Sequence, residues 1–138
     1  MTKHDTRDTI YDENAKAVKS FTDLRAWREA HKFAVSIYKA TKTFPSEEIF
    51  GLTTQLRRAA VSIGSNVAEG FGRDTWQEKL RFYFIARGSL TEVQSQLLVA
   101  RDVGYLKSDT FDSLANQAIG CHKTLSGLIK KTQEIQKV

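Results

Sequence analysis

A single proline, Pro45, interrupts this chain of 138 residues, and that scarcity limits the possible folds more than any other feature of the sequence. Proline breaks helices because it lacks an amide hydrogen and clashes with the preceding turn, and an average protein contains about 5% of it. Apolar residues also recur at helical spacing over most of the chain. The sequence therefore predicts an all-α fold built from long helices.

The first two predicted helices lie on either side of the proline. Thr22 or Asp23 can accept hydrogen bonds from the free amides of the first helix, which ends before Pro45. The second helix is predicted to open at Glu47 and Glu48, because carboxylates are favoured near the positive end of the helix dipole.

Two further helices are predicted in the second half of the chain. Thr75 and Glu78 have the spacing of a capping box, and Gly104 closes the third helix. Ser108 or Asp109 is predicted to cap the fourth. Short loops between long helices favour an antiparallel up-down-up-down four-helix bundle, because they force sequential neighbours to run in opposite directions.

One domain is expected at this length. Residues 1–20 contain few apolar groups and are predicted to form a flexible polar tail, whereas residues 21–135 form the bundle domain. The lone cysteine, Cys121, excludes an intrachain disulfide. No secretory signal and no membrane span is recognisable, so a cytoplasmic location without membrane association is expected.

Basic residues outnumber acidic ones by 21 to 16, and the whole excess of +5 lies in residues 21–138. Cations that neutralise phosphates bind RNA or DNA with little sequence preference and with strong salt dependence. The interspersed carboxylates also fit an ordinary solvated surface. The candidate nucleic-acid-binding residues lie along the first and third predicted helices: Arg25, Arg28, Lys32, Lys39, Arg73, Lys79 and Arg81.

A stripe of polar residues runs beside the apolar face of the second helix. It can be a buried hydrogen-bonded network in which Arg58 and Glu69 compensate each other's charge, directly or through a neighbouring chain. It can also line a ligand or nucleotide site. The members of this polar stripe are Gln55, Arg58, Ser62, Asn66 and Glu69.

The third helix is apolar over an arc of roughly 200°. An arc wider than one core-facing stripe indicates a subunit interface, although a central position in the bundle would also account for it. The residues of this arc are Trp76, Leu80, Phe82, Tyr83, Phe84, Ala86, Leu90, Val93 and Leu97.

Catalytic and metal-binding constellations are missing from the sequence. His4, His31 and His122 are isolated from one another, and Cys121 lies on an apolar face where it resembles a core residue rather than a nucleophile. No motif for a phosphate loop, zinc site or hydrolase is present. The sequence therefore predicts no enzyme activity, no cofactor and no metal.

Several motifs resemble those of a known family. They are FTDLRAWREA at residues 21–30, FPSEEIFGLTTQLRRAAVSI at 44–63, SNVAEG at 65–70, ARGSLTEVQSQL at 86–97 and GYL at 104–106. On these motifs the chain resembles, over about residues 21 to 130, the bacterial four-helix bundle proteins known as 23S rRNA intervening-sequence proteins. Gly64 stands where that family commonly has proline.

The resemblance implies a non-enzymatic four-helix bundle that assembles as a homopentameric ring. The chain is also similar in fold to the accessory proteins of diversity-generating retroelements, which bind nucleic acid and a reverse transcriptase. An oligomeric nucleic-acid-binding accessory is thus the expected function. The alternatives are a scaffold for a partner protein such as a reverse transcriptase, without direct nucleic-acid binding, and a small-molecule binder that uses the polar stripe.

Overall fold

Four α-helices make up most of residues 9–137, the part of the chain that the computed structural model describes. Helices α1 (Arg25–Thr41), α2 (Leu52–Phe71), α3 (Trp76–Asp102) and α4 (Ser108–Gln136) follow one another without an intervening strand in this part. The only β-type pairing within it is an isolated bridge between Tyr11 and Ala17. The predicted all-α class is confirmed, and the arrangement is consistent with a four-helix bundle.

Helix α1 begins after a short 3₁₀ turn rather than at the predicted cap. Its first residue, Arg25, follows Leu24, which offers no side-chain cap. The capping box belongs to the preceding turn: the Ser20 hydroxyl accepts from the amide of Thr22, and the Asp23 carboxylate accepts from the amide of Ser20. The prediction that Thr22 or Asp23 caps the first helix is therefore wrong, because both residues belong to the 3₁₀ turn that precedes it.

Helix α2 begins later than predicted. Glu47 and Glu48 belong to a separate 3₁₀ turn, Ser46–Glu48, and the α-helix starts at Leu52. Glu48 nevertheless serves the helix N-terminus, since its carboxylate accepts from the Leu52 amide at 3.2 Å. The same carboxylate accepts from the Tyr105 hydroxyl at 2.8 Å, which fixes this turn to the loop between α3 and α4.

The ends of α3 follow the sequence signals, whereas the start of α4 does not. Thr75 caps α3 by accepting from the Glu78 amide at 3.1 Å, as predicted. After α3 the chain turns at Gly104, whose φ of +86° lies in the left-handed region that favours glycine. The N-cap of α4 is Lys107, so Ser108 and Asp109 lie inside the first turn and the prediction that either is the cap is wrong.

The core lies between the four helices. Each helix packs against its neighbour in sequence, and α1 also packs against α4, which closes the arrangement. Apolar residues at helical spacing supply this core, so burial of one face of each helix is the main stabilising contribution. The largest fully buried apolar side chains are Phe33, Ile37, Leu56, Ile63, Val67, Tyr83, Leu90, Val93 and Leu125.

The segment before α1 lies against the bundle from residue 9 onward. Ile10 is buried in the core cluster, and the Lys131 ammonium of α4 donates to the Tyr11 carbonyl at 3.2 Å. Residues 1–8 of the predicted flexible tail lie outside the described residues. Residues 9–20 therefore have contacts with the bundle, and the flexibility of the tail stays a prediction.

Candidate nucleic-acid interface

The basic residues of α1 are solvent-exposed or already paired. Arg25 lies 3.8 Å from the Glu29 carboxylate, and Arg28 forms an ion pair with Glu13 while donating to the Asp23 carbonyl at 2.7 Å. Lys32 and Lys39 are exposed. Two of the four cations in this row thus have a carboxylate close by. We call Arg25, Arg28, Lys32 and Lys39 the α1 row.

The basic residues at the junction of α2 and α3 lie over aromatic rings. The guanidinium carbons of Arg73 and Arg81 lie 4.5 Å and 4.9 Å from the centroid of the same ring, that of Phe82. The Lys79 ammonium lies 5.4 Å from the centroids of both Phe71 and Trp76. We call this cluster the α2–α3 corner; its members are Phe71, Arg73, Trp76, Lys79, Arg81 and Phe82.

A cavity of about 860 Å³ opens between the corner and the segment before α1. Lys19, Arg73, Asp74 and Lys79 bring charge to it, and Phe71 and Trp76 bring aromatic surface, among other lining residues. It falls within the size range of pockets that hold a small ligand, about 300 to 1,000 Å³. A space bounded by both cations and rings suits a nucleotide, whose phosphate and base need different neighbours.

Two groups at the corner are incompletely satisfied in the folded chain. The Nε of Arg73 is buried and has no hydrogen-bond partner among the described residues. Burial lowers the pKa of Lys79, against a smaller opposing effect of the Asp74 carboxylate. The Lys79 ammonium donates to the Phe71 carbonyl. An approaching anion could accept a hydrogen bond from the Arg73 Nε and would compensate the charge of Lys79.

The polar stripe of α2 is divided by the structure. Ser62 and Asn66 come together, since the Asn66 amide donates to the Ser62 hydroxyl at 2.9 Å, and that hydroxyl lies 2.9 Å from the Ser89 hydroxyl of α3. Arg58 and Glu69 are exposed and do not pair with each other.

The carboxylate of Glu69 instead accepts from Arg73 at 2.8 Å. Gln55 is exposed like Arg58. A direct Arg58–Glu69 pair within one chain is therefore wrong, because each side chain points to solvent or to another partner. Compensation through a neighbouring chain stays a prediction.

The apolar arc of α3 is mostly core, with a remainder at the surface. Leu80, Tyr83, Ala86, Leu90, Val93 and Leu97 are buried, whereas Phe84 and the adjacent Ile85 are exposed. Arg87 covers part of the exposed surface, since its guanidinium carbon lies 4.9 Å from the Phe84 centroid. A subunit interface at this helix stays a prediction, and a central position accounts for the buried part.

The aromatic partners of the cations were missed as candidate binding residues. Trp76 and Phe82 are apolar positions in the sequence and were assigned only to the arc of α3. A local signal existed, since Trp76 and Lys79, like Phe84 and Arg87, are three residues apart on one helix, the spacing at which side chains meet. The sequence holds no such signal for the position of Lys19 at the cavity or for the contact of Arg73 with Phe82, because both depend on tertiary packing.

Of the histidines and the cysteine, the structure describes His31, His122 and Cys121, which lie at separate places. His31 stacks on Trp27 with centroids 4.8 Å apart, and His122 is exposed on α4; His4 lies outside the described residues. Cys121 is buried, as predicted for a core residue, and burial raises the pKa of its thiol to about 12. Across residues 9–137 no group of His, Cys, Asp or Glu could hold a metal ion.

None of the helices in the described region is both long and apolar enough for a membrane crossing.

Comparison with known proteins gives the family of the chain. A search of curated proteins finds no match. A crystal structure from Bacteroides thetaiotaomicron VPI-5482, of a protein with unknown function from the S23 ribosomal protein family, superposes with a TM-score of 0.70.

That structure shares 21% sequence identity with the chain and covers 75% of it and 97% of its own length, so the likeness concerns the fold. The family model described as 23S rRNA-intervening sequence protein matches residues 22–127, which is most of the bundle. The resemblance inferred from the motifs is thereby confirmed, and the chain belongs to the 23S rRNA-intervening sequence protein family.

Proposed function

We propose that this protein is a non-enzymatic, cytoplasmic, oligomeric accessory that binds RNA or DNA through the α2–α3 corner with little sequence preference. The observation that carries the proposal is the placement of Arg73, Lys79 and Arg81 over aromatic rings beside an open cavity. Cations neutralise phosphates, while aromatic rings stack on bases regardless of sequence. A single-stranded RNA is the first ligand to test, because its unpaired bases can stack on the partly exposed rings.

Assembly would strengthen such binding. The resemblance to ring-forming family members supports five copies, and their charge would multiply the +5 of one chain to about +25. Repeated weak sites on one ring also bind a polyanion together more tightly than one site alone. The exposed Phe84 and Ile85 of α3 support an additional apolar contact between copies.

The ring proposal includes an up-down-up-down order of helices. Arg57 of α2 donates to Thr41 at the end of α1 at 2.8 Å, whereas Gly64, further along α2, faces Trp27 near the start of α1. The contacts between α2 and α3 also run in opposite directions along the two helices. Ser62 contacts Ser89, whereas Gly70, further along α2, faces Tyr83, which comes before Ser89 in α3. Both pairs support antiparallel neighbours.

Fluorescence anisotropy with a single-stranded RNA, an RNA hairpin and a DNA duplex tests the binding proposal. We expect the wild type to bind all three at low salt and to lose affinity steeply towards physiological salt, because neutralised phosphates release counterions. The variant Arg73→Gln/Arg81→Gln removes two corner cations and keeps Lys79, which holds the end of α2. It should bind more weakly, with a salt slope lower by about 1 for each lost phosphate contact.

Two matched variants control for net charge. Lys123→Gln/Lys130→Gln removes two exposed cations from α4 and should leave the affinity near that of wild type. Arg25→Gln/Arg28→Gln removes two cations of the α1 row and should weaken binding less than the corner variant. Absence of binding at low salt would overturn nucleic-acid binding and favour a scaffold for a partner protein such as a reverse transcriptase. Equal losses in all three variants would overturn the corner as the site.

A further inference from the structure

An open groove between α1 and α2 is lined mainly by apolar side chains. Its volume is about 770 Å³, and Trp27, Ala34, Val35, Tyr38, Val61 and Gly64 are among its lining residues. A Cβ at Gly64 would lie in ordinary van der Waals contact with the Trp27 ring, at 3.5 Å. Val35, Tyr38 and Val61 are each at least 40% exposed. We call this surface the α1–α2 groove.

The charges around the α1–α2 groove are all positive. Lys39 and Lys42 line one end of it, and no carboxylate is among the described lining residues. Arg57 adds a third cation, because its guanidinium lies 4.8 Å from the Tyr38 centroid and its Nε donates to Thr41. The groove therefore fits an occupant that presents apolar side chains together with a negative charge.

This chain carries such an element on a different surface. Phe50 is 93% exposed and Ile49 is 46% exposed, in the connection between α1 and α2. Glu47, also exposed, precedes them. An aromatic side chain left almost wholly in water is unfavourable unless another surface covers it. We call Glu47, Ile49 and Phe50 the Phe50 knob.

The connection that carries the knob is held in place. The Glu48 carboxylate accepts from both the Tyr105 hydroxyl and the Leu52 amide. Gly51 permits this geometry, because a Cβ there would lie 2.7 Å from the same carboxylate. A knob fixed by its neighbours loses little conformational entropy when it docks.

We propose that the Phe50 knob of one copy docks into the α1–α2 groove of the next copy. The inference rests on the oligomer proposed above and assigns its contact. Ile49 and Phe50 supply the apolar contact, and Glu47 meets the positive end of the groove. Knob and groove are different surfaces, so the contact is head-to-tail, and such contacts repeat until the rotation between copies closes a ring.

Light scattering of four chains tests the docking. The wild type should form an oligomer, whereas Phe50→Asp and Val61→Asp should each shift towards the 15.6 kDa monomer. Both substituted side chains are exposed, so circular dichroism should show retained helices. Val103→Asp changes a side chain that is 55% exposed at the end of α3, outside both surfaces, and should keep the wild-type mass.

Cross-linking then tests the pairing itself. The double variant Ile49→Cys/Ser65→Cys keeps Phe50 and Val61 and places one thiol in the knob and one in the groove. Treated with a short bismaleimide, it should give a ladder of covalent oligomers, because each copy offers one thiol to each neighbour. Either single variant should give no species above a dimer. The native Cys121 is buried and does not contribute.

A wild-type monomer would overturn both this docking and the proposed ring. An oligomer that Phe50→Asp leaves unchanged, or a double variant that gives no ladder, would overturn the docking alone. Nucleic-acid binding is measured separately by anisotropy, with variants of the α2–α3 corner, so its failure is distinguishable from either result.

Discussion

The α1 row and the α2–α3 corner carry the same kind of charge beside different neighbours. In the row, Arg25 and Arg28 face carboxylates. In the corner, Arg81 and Lys79 lie over rings, and Arg73 has both a ring and a carboxylate. A carboxylate neutralises a cation, whereas an aromatic ring orients it and leaves its charge. The two regions therefore differ in the neighbours of their cations rather than in the kind of charge they carry.

Burial adds a second difference between the two regions. Lys32 and Lys39 of the row are exposed. Lys79 of the corner is partly buried, and this burial lowers its pKa. A cation that has already lost part of its hydration gives up less water when it meets a phosphate, so its interaction with the anion is stronger.

The largest expected effect on stability comes from filling the space behind the corner. A Cβ at Gly70 would lie 2.7 Å from Cε1 of the fully buried Tyr83 ring and 3.0 Å from the Cβ of Phe82. Gly70→Ala should lower the free energy of unfolding by about 1 to 3 kcal/mol, the usual cost of overpacking. Displacement of Phe82 should also weaken RNA binding. Urea unfolding and anisotropy measure the two effects.

Gly88 provides the matched control for this substitution. It lies within α3, and nothing is within 4 Å of the position its Cβ would take. Gly88→Ala should therefore stabilise the chain by about 0.5 to 1 kcal/mol through helix propensity alone. The two substitutions should change stability in opposite directions. Destabilisation of equal size at both positions would show that the close packing at the corner has no special effect.

Alkaline pH should affect the contributions of Cys121 and of Lys79 to stability with opposite signs. Cys121 lies in α4, and burial, with a smaller effect of Glu29 from α1, raises its pKa from 9.0 to about 12. Above about pH 9 the unfolded chain loses this proton while the folded chain keeps it, so stability falls as pH rises. Lys79 at the corner has a lowered pKa, so the unfolded chain holds its proton longer and stability rises with pH below 10.5.

Comparison with Cys121→Ala isolates the thiol. Between about pH 8 and about pH 10 the wild type should lose about 1.4 kcal/mol more stability than the variant, by linkage for one group. Urea unfolding at each pH measures the difference. Parallel pH curves would mean that the thiol titrates equally in both states, which contradicts its burial.

The helices could be predicted from the sequence because their signals are local. Each signal depends on residues within one or two helical turns of one another. The signals are the helical spacing of apolar residues, Pro45, and the pairing of Thr75 with Glu78. The starts of α1 and α2 were misplaced because 3₁₀ turns precede both and take the residues predicted to open them. A cap signal in the sequence does not distinguish a 3₁₀ turn from the first turn of an α-helix.

The candidate site could be predicted only in part. Arg73, Lys79 and Arg81 were selected by charge alone, and charge could not separate them from Arg25 or Arg28. The difference arises from tertiary contacts, as where the chain returns through the α2–α3 junction and brings Arg73 over Phe82. The pairing of Glu69 with Arg73 did have a local signal, because the two residues are four apart, but Arg73 lies beyond the end of α2 and was not considered with the polar stripe.

The smallest expected effects concern exposed ion pairs and sharpen the comparison further. Glu69 precedes Arg73 by four residues near the end of α2, at 2.8 Å, whereas Arg25 precedes Glu29 by four residues at the start of α1, at 3.8 Å. A carboxylate on the N-terminal side of the cation is the better order, because each charge then faces the favourable end of the helix dipole.

Double-mutant cycles to alanine, followed by urea unfolding, measure these couplings without the helix-propensity changes of the single variants. We expect about 0.3 to 0.5 kcal/mol for Glu69 with Arg73 and a smaller value for Arg25 with Glu29, at low salt. Arg58 with Glu69 should show no coupling in a monomeric background such as Phe50→Asp. Coupling of that pair in the assembled wild type alone would indicate that the two charges meet across neighbouring copies, since within one chain Glu69 pairs with Arg73.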